Sequence, residues 1–155
     1  MLESAATMNL GGFGECLARQ DNFVEIDRDV VDVFGIPVLR IHMGWSENER
    51  LMIADMASSA AEMLEAAGAR NVRPWTVVDR MPGMGIHEVG VARMGTSPKT
   101  SVLNQFQQTH DIRNLFVMDG SGFTSSACQN PTLTIMALTV RSCDYLLNEM
   151  KRGVL

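Results

Sequence analysis

The sequence is short of cysteines, of basic residues and of long apolar runs, and each shortage excludes a class of protein. Its three cysteines, Cys16, Cys128 and Cys143, form no CxxC pair, so we predict neither a zinc knuckle nor a disulfide framework. Basic residues number 13 against 18 acidic ones, for a formal net charge of −5, which argues against a nucleic-acid partner. Because no apolar run approaches the roughly 20 residues that span a bilayer, we expect no transmembrane segment.

What the sequence does contain is typical of a globular domain. Hydrophobic residues make up 46% of the 155 residues and charged residues 20%, a balance that excludes intrinsic disorder. A chain of this length can bury a sizeable core as one ordinary domain. Composition alone indicates no function.

The most strongly patterned stretch is a predicted helix near the C-terminus. Asn130 is a good N-cap, and Pro131 suits the first helical position because its missing N–H costs nothing there. Gly153 would end the helix just after Lys151 and Arg152. Apolar residues recur in between at steps of three and four and form a stripe: Leu133, Ala137, Val140, Cys143 and Leu147. Such a helix start suits an anion or an electron-rich ring edge, although a plain cap is the alternative.

Further strands and a second helix are predicted upstream. Alternating apolar and polar residues predict a strand over 22–27, and an extended run over 38–43 predicts its antiparallel neighbour. Ser46 and Glu49 have the spacing of a capping box, and Gly68 would end the long helix that follows. A third strand is predicted at 75–78 and a buried strand at 114–120.

Three histidines are candidates for acid–base chemistry. His42 lies in the second predicted strand, where a packing role is usual, and His110 lies in a polar loop, which is typical of a solvated residue. His87 lies between Gly85 and Gly90, where a backbone can approach a ligand closely. A turn histidine bonded to backbone is an equally good interpretation of His87.

The His87-Glu88 pair has the first two residues of the zinc-binding HExxH helix. That motif needs a second histidine one turn further on, and Val91 stands there instead. We therefore predict no metal site.

Four sequence blocks occur in order between residues 87 and 138: HEVGVARMG, SVLN, NLFVMDGS and NPTLTIMAL. In this order and spacing they closely resemble the C-terminal signature of the glucose–methanol–choline (GMC) flavin oxidoreductases. The resemblance is strong over residues 81–150 and looser over 11–78. Within the family it points to the branch of sugar and polyol dehydrogenases.

The resemblance implies an FAD-dependent enzyme that oxidises the CH–OH group of an alcohol, sugar or polyol. Members of the family remove the hydroxyl proton with a base while a hydride passes to flavin N5, and an imidazole is suited to that task. By this resemblance His87 is the base and Asn130 holds the alcohol oxygen. The residues implied to bind the cofactor are Asp119, Gly120, Pro131 and Thr132.

The family's dinucleotide fingerprint is missing from this chain. Gly12 and Gly14 are followed by Leu17 where the GxGxxG motif requires its third glycine, and no strand precedes them. We therefore interpret the chain as the C-terminal portion of a longer flavoenzyme, with residues 1–80 a substrate-binding part and 81–155 a catalytic segment that returns to the FAD domain.

The fold class expected from these observations is α+β or mixed α/β. It comprises a small, mainly antiparallel substrate-side sheet with a long helix, and a C-terminal strand–helix unit of an FAD-binding domain. The expected partners are the missing N-terminal FAD-binding half, a small-molecule alcohol or sugar, and an electron-acceptor subunit.

Two questions depend on the sequence upstream of Met1. Residues 1–8 lack the features of a signal peptide, so we expect a cytoplasmic location if Met1 is the true start and a periplasmic one for a longer, exported protein. The alternative to an enzyme is a non-catalytic folding or interaction module without flavin. A GxGxxG motif after a strand upstream would support the enzyme, and a stop codon just before Met1 would support the module.

Overall fold

The computed structural model describes residues 6–77, 82–83 and 85–155 of the chain. It has an α+β fold, as predicted. The described residues divide into two compact units, the first of residues 6–16 and 45–77 and the second of residues 17–44, 82–83 and 85–155. The elements in chain order are β1 (Phe23–Val31), β2 (Pro37–His42), α1 (Glu47–Ala66), a 3₁₀ turn (Gly120–Gly122) and α2 (Thr132–Lys151). The division of the longer protein at residues 80 and 81 stays a prediction.

The first unit is built on α1, which begins and ends as predicted. The N–H of Ser46 donates to Glu49 Oε2 at 2.7 Å, and the Ser46 hydroxyl donates to the same oxygen. Glu49 is only 1% exposed, so the capping box at the start of α1 is shielded from solvent. At the other end Gly68 has a φ of 86° and its N–H donates to Glu65 O, which is how glycine ends a helix.

The glycine-rich N-terminal segment packs against α1. A Cβ on Gly14 would lie 2.6 Å from Met52 Sδ, and one on Gly12 would lie 2.9 Å from Met56 Sδ. These two glycines therefore permit close packing on methionines, consistent with the rejection of a dinucleotide-binding turn.

The prediction of a third strand at 75–78 is wrong for residues 75–77, which are the ones that the structure describes. Residues 75–77 adopt no strand, and Val78 lies outside the described residues. Trp75 is 64% exposed, and a strand requires a neighbour for its backbone groups. No described segment pairs with residues 75–77, so the strand propensity of these residues is not enough to form a strand.

The second unit contains the predicted antiparallel pair. β1 and β2 pair with Phe23 opposite His42 and Ile26 opposite Leu39. In the connection Asp32 Oδ1 accepts the N–H groups of Phe34 and Ile36 at 2.8 and 2.9 Å. This Asp-centred turn determines the register of the hairpin.

Both faces of this two-stranded sheet are largely exposed. Asp27 is the one buried residue of β1, and the apolar residues are between 38% and 65% exposed at four positions of the pair: Val24, Ile26, Leu39 and Ile41. An isolated two-stranded hairpin is marginally stable in water, so further contacts on either exposed face would stabilise this sheet.

The core of the second unit lies beneath the 3₁₀ turn. Leu103, Gln107 and Ser142 are each 0% exposed, and Ser142 Oγ donates to Gln107 Oε1 at 2.9 Å. The predicted strand at 114–120 is wrong, because only an isolated antiparallel bridge joins Gln108 to Phe116. Among the described residues, the longer-range backbone bonds of this segment go to Gln107 and Thr109 and, at Gly120, to Gly90 without forming a continuous ladder. Leu115 is 44% exposed.

Helix α2 exposes the apolar stripe that the sequence predicts. Leu133 is 78% exposed, Val140 62% and Leu147 53%, whereas Ser142 and Glu149 on the opposite side are buried. In the part of the chain that the structure describes, neither helix has the length and apolarity needed to cross a membrane.

Candidate functional site

Three segments of the second unit meet at Gly120. A Cβ added to Gly120 would lie 3.3 Å from Glu88 O, from Val89 Cγ1 and from Ile135 Cδ1. Glu88 and Val89 directly follow His87, and Ile135 lies in the first turn of α2. The fold thus brings together the neighbourhoods of the predicted base, of the predicted cofactor residues and of the helix start.

A row of backbone hydrogen bonds fixes this meeting point. The N–H groups of Gly90, Ala92 and Met94 donate to the carbonyl oxygens of Gly120, Ser121 and Gly122, respectively, at 3.1, 3.1 and 2.8 Å. The segment 90–94 is therefore hydrogen-bonded along its length to the 3₁₀ turn, and these bonds fix its position relative to that turn.

Asp119 is the N-cap of the 3₁₀ turn. Its Oδ1 accepts the N–H of Ser121 at 2.8 Å and also the Ser121 hydroxyl. One carboxylate oxygen thus holds the turn, while the residue remains exposed. Asp119 and Gly120, both predicted cofactor residues, are adjacent in the turn that these bonds hold.

The start of α2 differs from the prediction by one residue. Pro131 is the N-cap, with φ −83° and ψ −13°, and its carbonyl oxygen accepts the N–H of Ile135 at 2.9 Å. The assignment of Asn130 as the N-cap is therefore wrong, because Pro131, which already has helical dihedrals, takes that position and its carbonyl accepts the first helical hydrogen bond. Asn130 is exposed and Pro131 buried, and no side chain caps this end.

As a consequence, the first backbone N–H groups of α2 have no side-chain acceptor at the cap. Thr132, Leu133 and Thr134 are exposed, and their N–H groups lie in the first turn, which has no intrahelical acceptors. The positive end of the helix dipole adds to these donors. The predicted site residues Asn130 and Thr132 therefore stand at an open, electropositive helix end.

The three histidines have different surroundings. His87 is half-buried in the loop that leads to Val89. His42 stacks on Phe23 with ring centroids 4.2 Å apart and lies 2.7 Å from Glu25 Oε1, in agreement with a packing role. His110 is half-buried, with Nε2 2.9 Å from Ser101 Oγ, so its description as a solvated residue is wrong.

The sequence analysis did not predict the role of Thr139, which links α2 to the segment before Asp119. Thr139 Oγ1 lies 3.1 Å from Met118 O and 2.9 Å from Ile135 O, which places it between α2 and the segment that leads to Asp119. A polar residue in mid-helix was the available signal, since a buried hydroxyl must find an acceptor. Its partner 21 residues away could not be read from the sequence.

The family of the chain follows from its similarity to known proteins. The family model for the GMC oxidoreductases matches residues 18–139. The chain is 39% identical over 134 residues to the 2-methyl-1,2-propanediol dehydrogenase of Mycolicibacterium austroafricanum, an alignment that covers 86% of this chain and 24% of the relative.

Two further relatives have names that refer to sugars or their acids. The gluconate 2-dehydrogenase flavoprotein of Pantoea cypripedii is 32% identical, with 85% of this chain and 22% of the relative covered. The fructose dehydrogenase large subunit of Gluconobacter japonicus is 29% identical, with 90% and 25% covered. The chain thus spans about a quarter of the length of the curated relatives that it matches. Because the family model covers most of its residues, the chain belongs to the GMC oxidoreductases.

Proposed function

We propose that this chain is the catalytic C-terminal portion of an FAD-dependent oxidoreductase that acts on the CH–OH group of an alcohol, sugar or polyol. The observation that carries the proposal is the convergence at Gly120 of the His87 loop, the Asp119 turn and the open start of α2. Family membership and the names of the relatives support an oxidoreductase of this class.

The described residues suit one end of the cofactor. Exposed N–H groups at the start of α2 can face the electron-rich pyrimidine edge of an isoalloxazine ring. The missing side chain of the buried Gly120 lets Glu88, Val89 and Ile135 pack close beside the Asp119 turn, which holds the helix start next to that turn. The residues in these roles would be Asp119, Gly120, Pro131 and Thr132. The chain offers no GxGxxG turn for the pyrophosphate.

The chain's own residues would divide the chemistry between them. His87 takes the proton of the substrate hydroxyl, and Asn130 donates a hydrogen bond from its amide to the same oxygen. Loss of that proton makes hydride departure from the carbon favourable, so the alcohol becomes a carbonyl compound. Bound FAD would supply the hydride acceptor, at N5. The positive end of α2 favours negative charge that develops beside it.

Exposed apolar surface supports the interpretation as a portion of a longer protein. On α2 the stripe with Leu133, Val140 and Leu147 is more than half exposed, and a contiguous apolar patch of this kind normally has a partner. The proposal is that the missing FAD-binding half covers it. The isolated chain is then expected to be colourless, inactive and prone to self-association.

The decisive experiment is stopped-flow reduction of the flavin by substrate in a complete protein that carries this segment. His87→Ala is expected to slow flavin bleaching by about two orders of magnitude, the scale of a lost general base. His42→Gln is the matched control, because His42 makes its contacts within the hairpin, and it should leave the rate within about twofold. Near-normal bleaching in the His87 variant would remove His87 as the base.

A second experiment tests the isolated chain. It is purified with excess FAD, free cofactor is removed, and the visible spectrum is recorded. A spectrum without flavin absorbance is expected, because the charge-assisted contacts to the pyrophosphate are lacking. A stoichiometric yellow monomer that alcohol bleaches would contradict the proposal that the FAD-binding half is needed.

A further inference from the structure

A basic pocket lies in the second unit next to the segment 90–94. Its volume is about 270 Å³, and residues 91, 93 and 98–102 form its wall. Two of these residues, Arg93 and Lys99, are cationic, and none carries a carboxylate. The chain as a whole has a formal net charge of −5, whereas the charged side chains of this wall are both positive.

Arg93 is held in place by the backbone around it. Its Nε donates to Thr100 O at 2.8 Å, and its carbonyl oxygen accepts the N–H of Val102 at 3.1 Å. A guanidinium has five N–H donors, so the four on its two Nη atoms remain for a ligand. Among the described residues neither Arg93 nor Lys99 forms an ion pair.

The loop that carries Lys99 is also fixed. Ser101 Oγ donates to Ser97 O at 2.7 Å and lies 2.9 Å from His110 Nε2. A Cβ on Gly95 would lie only 2.7 Å from Ser101 Cβ, so the loop is folded tightly back on the preceding segment. A loop ordered before binding loses little conformational entropy when a ligand arrives.

Backbone strain marks the same pocket. Val91 in its wall has a φ of 65°, a left-handed conformation that is an outlier for a β-branched residue. Such outliers persist only where the surrounding structure determines them, and they cluster at ligand sites.

We propose that the basic pocket binds a small oxyanion, namely a phosphate group, either free or as the terminal group of a phosphate ester. Arg93 would contribute paired hydrogen bonds and Lys99 a point charge. The volume of about 270 Å³ admits a phosphate group and leaves room for part of an ester. None of the proposed site residues for alcohol oxidation lies in this wall.

Isothermal titration calorimetry of the complete protein with inorganic phosphate at low salt tests the proposal. Arg93→Met and Lys99→Met are each expected to raise the Kd for phosphate by about tenfold, the scale of one charge-assisted contact. Lys99→Met keeps the test valid if Arg93→Met fails to fold, because the structure gives the Lys99 side chain no bond to the loop. The matched control is Arg113→Met, an exposed arginine outside the pocket, which should leave the Kd within about twofold.

A parallel titration with glucose 6-phosphate distinguishes the two sources of the anion. Tighter binding of the ester would assign the pocket to a phosphorylated metabolite, and equal binding would assign it to free phosphate. Either result, with the loss in both pocket variants, supports the site. No heat of binding at millimolar phosphate, or an equal loss in all three variants, would overturn it without affecting the flavin-reduction experiment.

Discussion

The two long helices begin in opposite ways, although each is preceded by a residue that commonly caps helices. At α1 the Glu49 carboxylate, 1% exposed, accepts the N–H of Ser46 at 2.7 Å. At α2 no side chain caps the first turn, Asn130 is exposed, and the buried Pro131 takes the cap position. α1 therefore begins in a closed capping box, whereas no side chain caps the first turn of α2.

Under the proposed function, this difference separates a helix start that is closed for stability from one that faces a cofactor. Free N–H groups at a helix start cost stability unless something outside the helix accepts their hydrogen bonds. A capping box gains about 1 kcal/mol by closing them. α2 forgoes that gain at the place where the His87 loop and the Asp119 turn also arrive, which is consistent with a start reserved for a ligand.

The largest expected effect concerns Asn130. Asn130→Ala in the complete protein should slow flavin reduction about a hundredfold, the scale of one lost hydrogen bond to a reacting oxygen. Its free energy of unfolding should change by less than about 0.5 kcal/mol, because Asn130 caps nothing. Stopped-flow bleaching and urea unfolding of the same sample measure both quantities. A stability loss above about 1 kcal/mol with normal reduction would make Asn130 a cap after all.

The next effect concerns the glycine at which the three segments meet. Gly120→Ala places a Cβ 3.3 Å from three neighbours, and overpacking of this kind costs about 1–3 kcal/mol. Loss of flavin absorbance should accompany the loss of stability. Gly11→Ala is the control, since a Cβ there would meet nothing within 4 Å. If Gly120→Ala were as stable and as yellow as Gly11→Ala, the close packing at Gly120 would be irrelevant to the site.

A smaller effect is expected at the closed helix start. Glu49→Ala removes the acceptor of the Ser46 N–H and should lower the free energy of unfolding by about 1 kcal/mol. Flavin reduction per bound flavin should not change. Glu47→Ala, an exposed acidic residue of the same first turn, is the control and should have a smaller effect. Equal losses for both variants would mean that the capping bond adds nothing beyond the helix dipole.

The smallest effect concerns a well-bonded carboxylate that belongs to neither helix. The N–H of Asp29 and the Arg40 guanidinium lower the pKa of Asp27. A lowered pKa means that the stability contribution is present above the ordinary range of an aspartate and is lost as the pH falls through the lowered pKa. Asp27→Asn should therefore reduce the acid dependence of unfolding below about pH 4. Urea unfolding at several acidic pH values would measure it, and an unchanged pH profile would contradict this prediction.

Much of the local structure could be predicted because its causes are close in sequence. The capping box joins residues three apart, the hairpin turn depends on Asp32 and its immediate neighbours, and Gly153 ends α2 with a φ of 67°. The four ordered blocks likewise indicated the family, since each is a short stretch of residues. In the candidate site, the same blocks singled out His87, Asp119 and Asn130.

The tertiary structure decided what depends on distant neighbours. Only the fold shows that the apolar stripe of α2 is exposed while Ser142 is buried against Gln107. Only the fold shows that segment 114–120 forms an isolated bridge instead of a strand and that the His87 loop meets Gly120. The sequence by itself determined the helices, the hairpin and the family, because dihedral preferences and caps act between neighbouring residues. Which surfaces face each other was decided by packing between residues tens of positions apart, and local preferences carry no information on that.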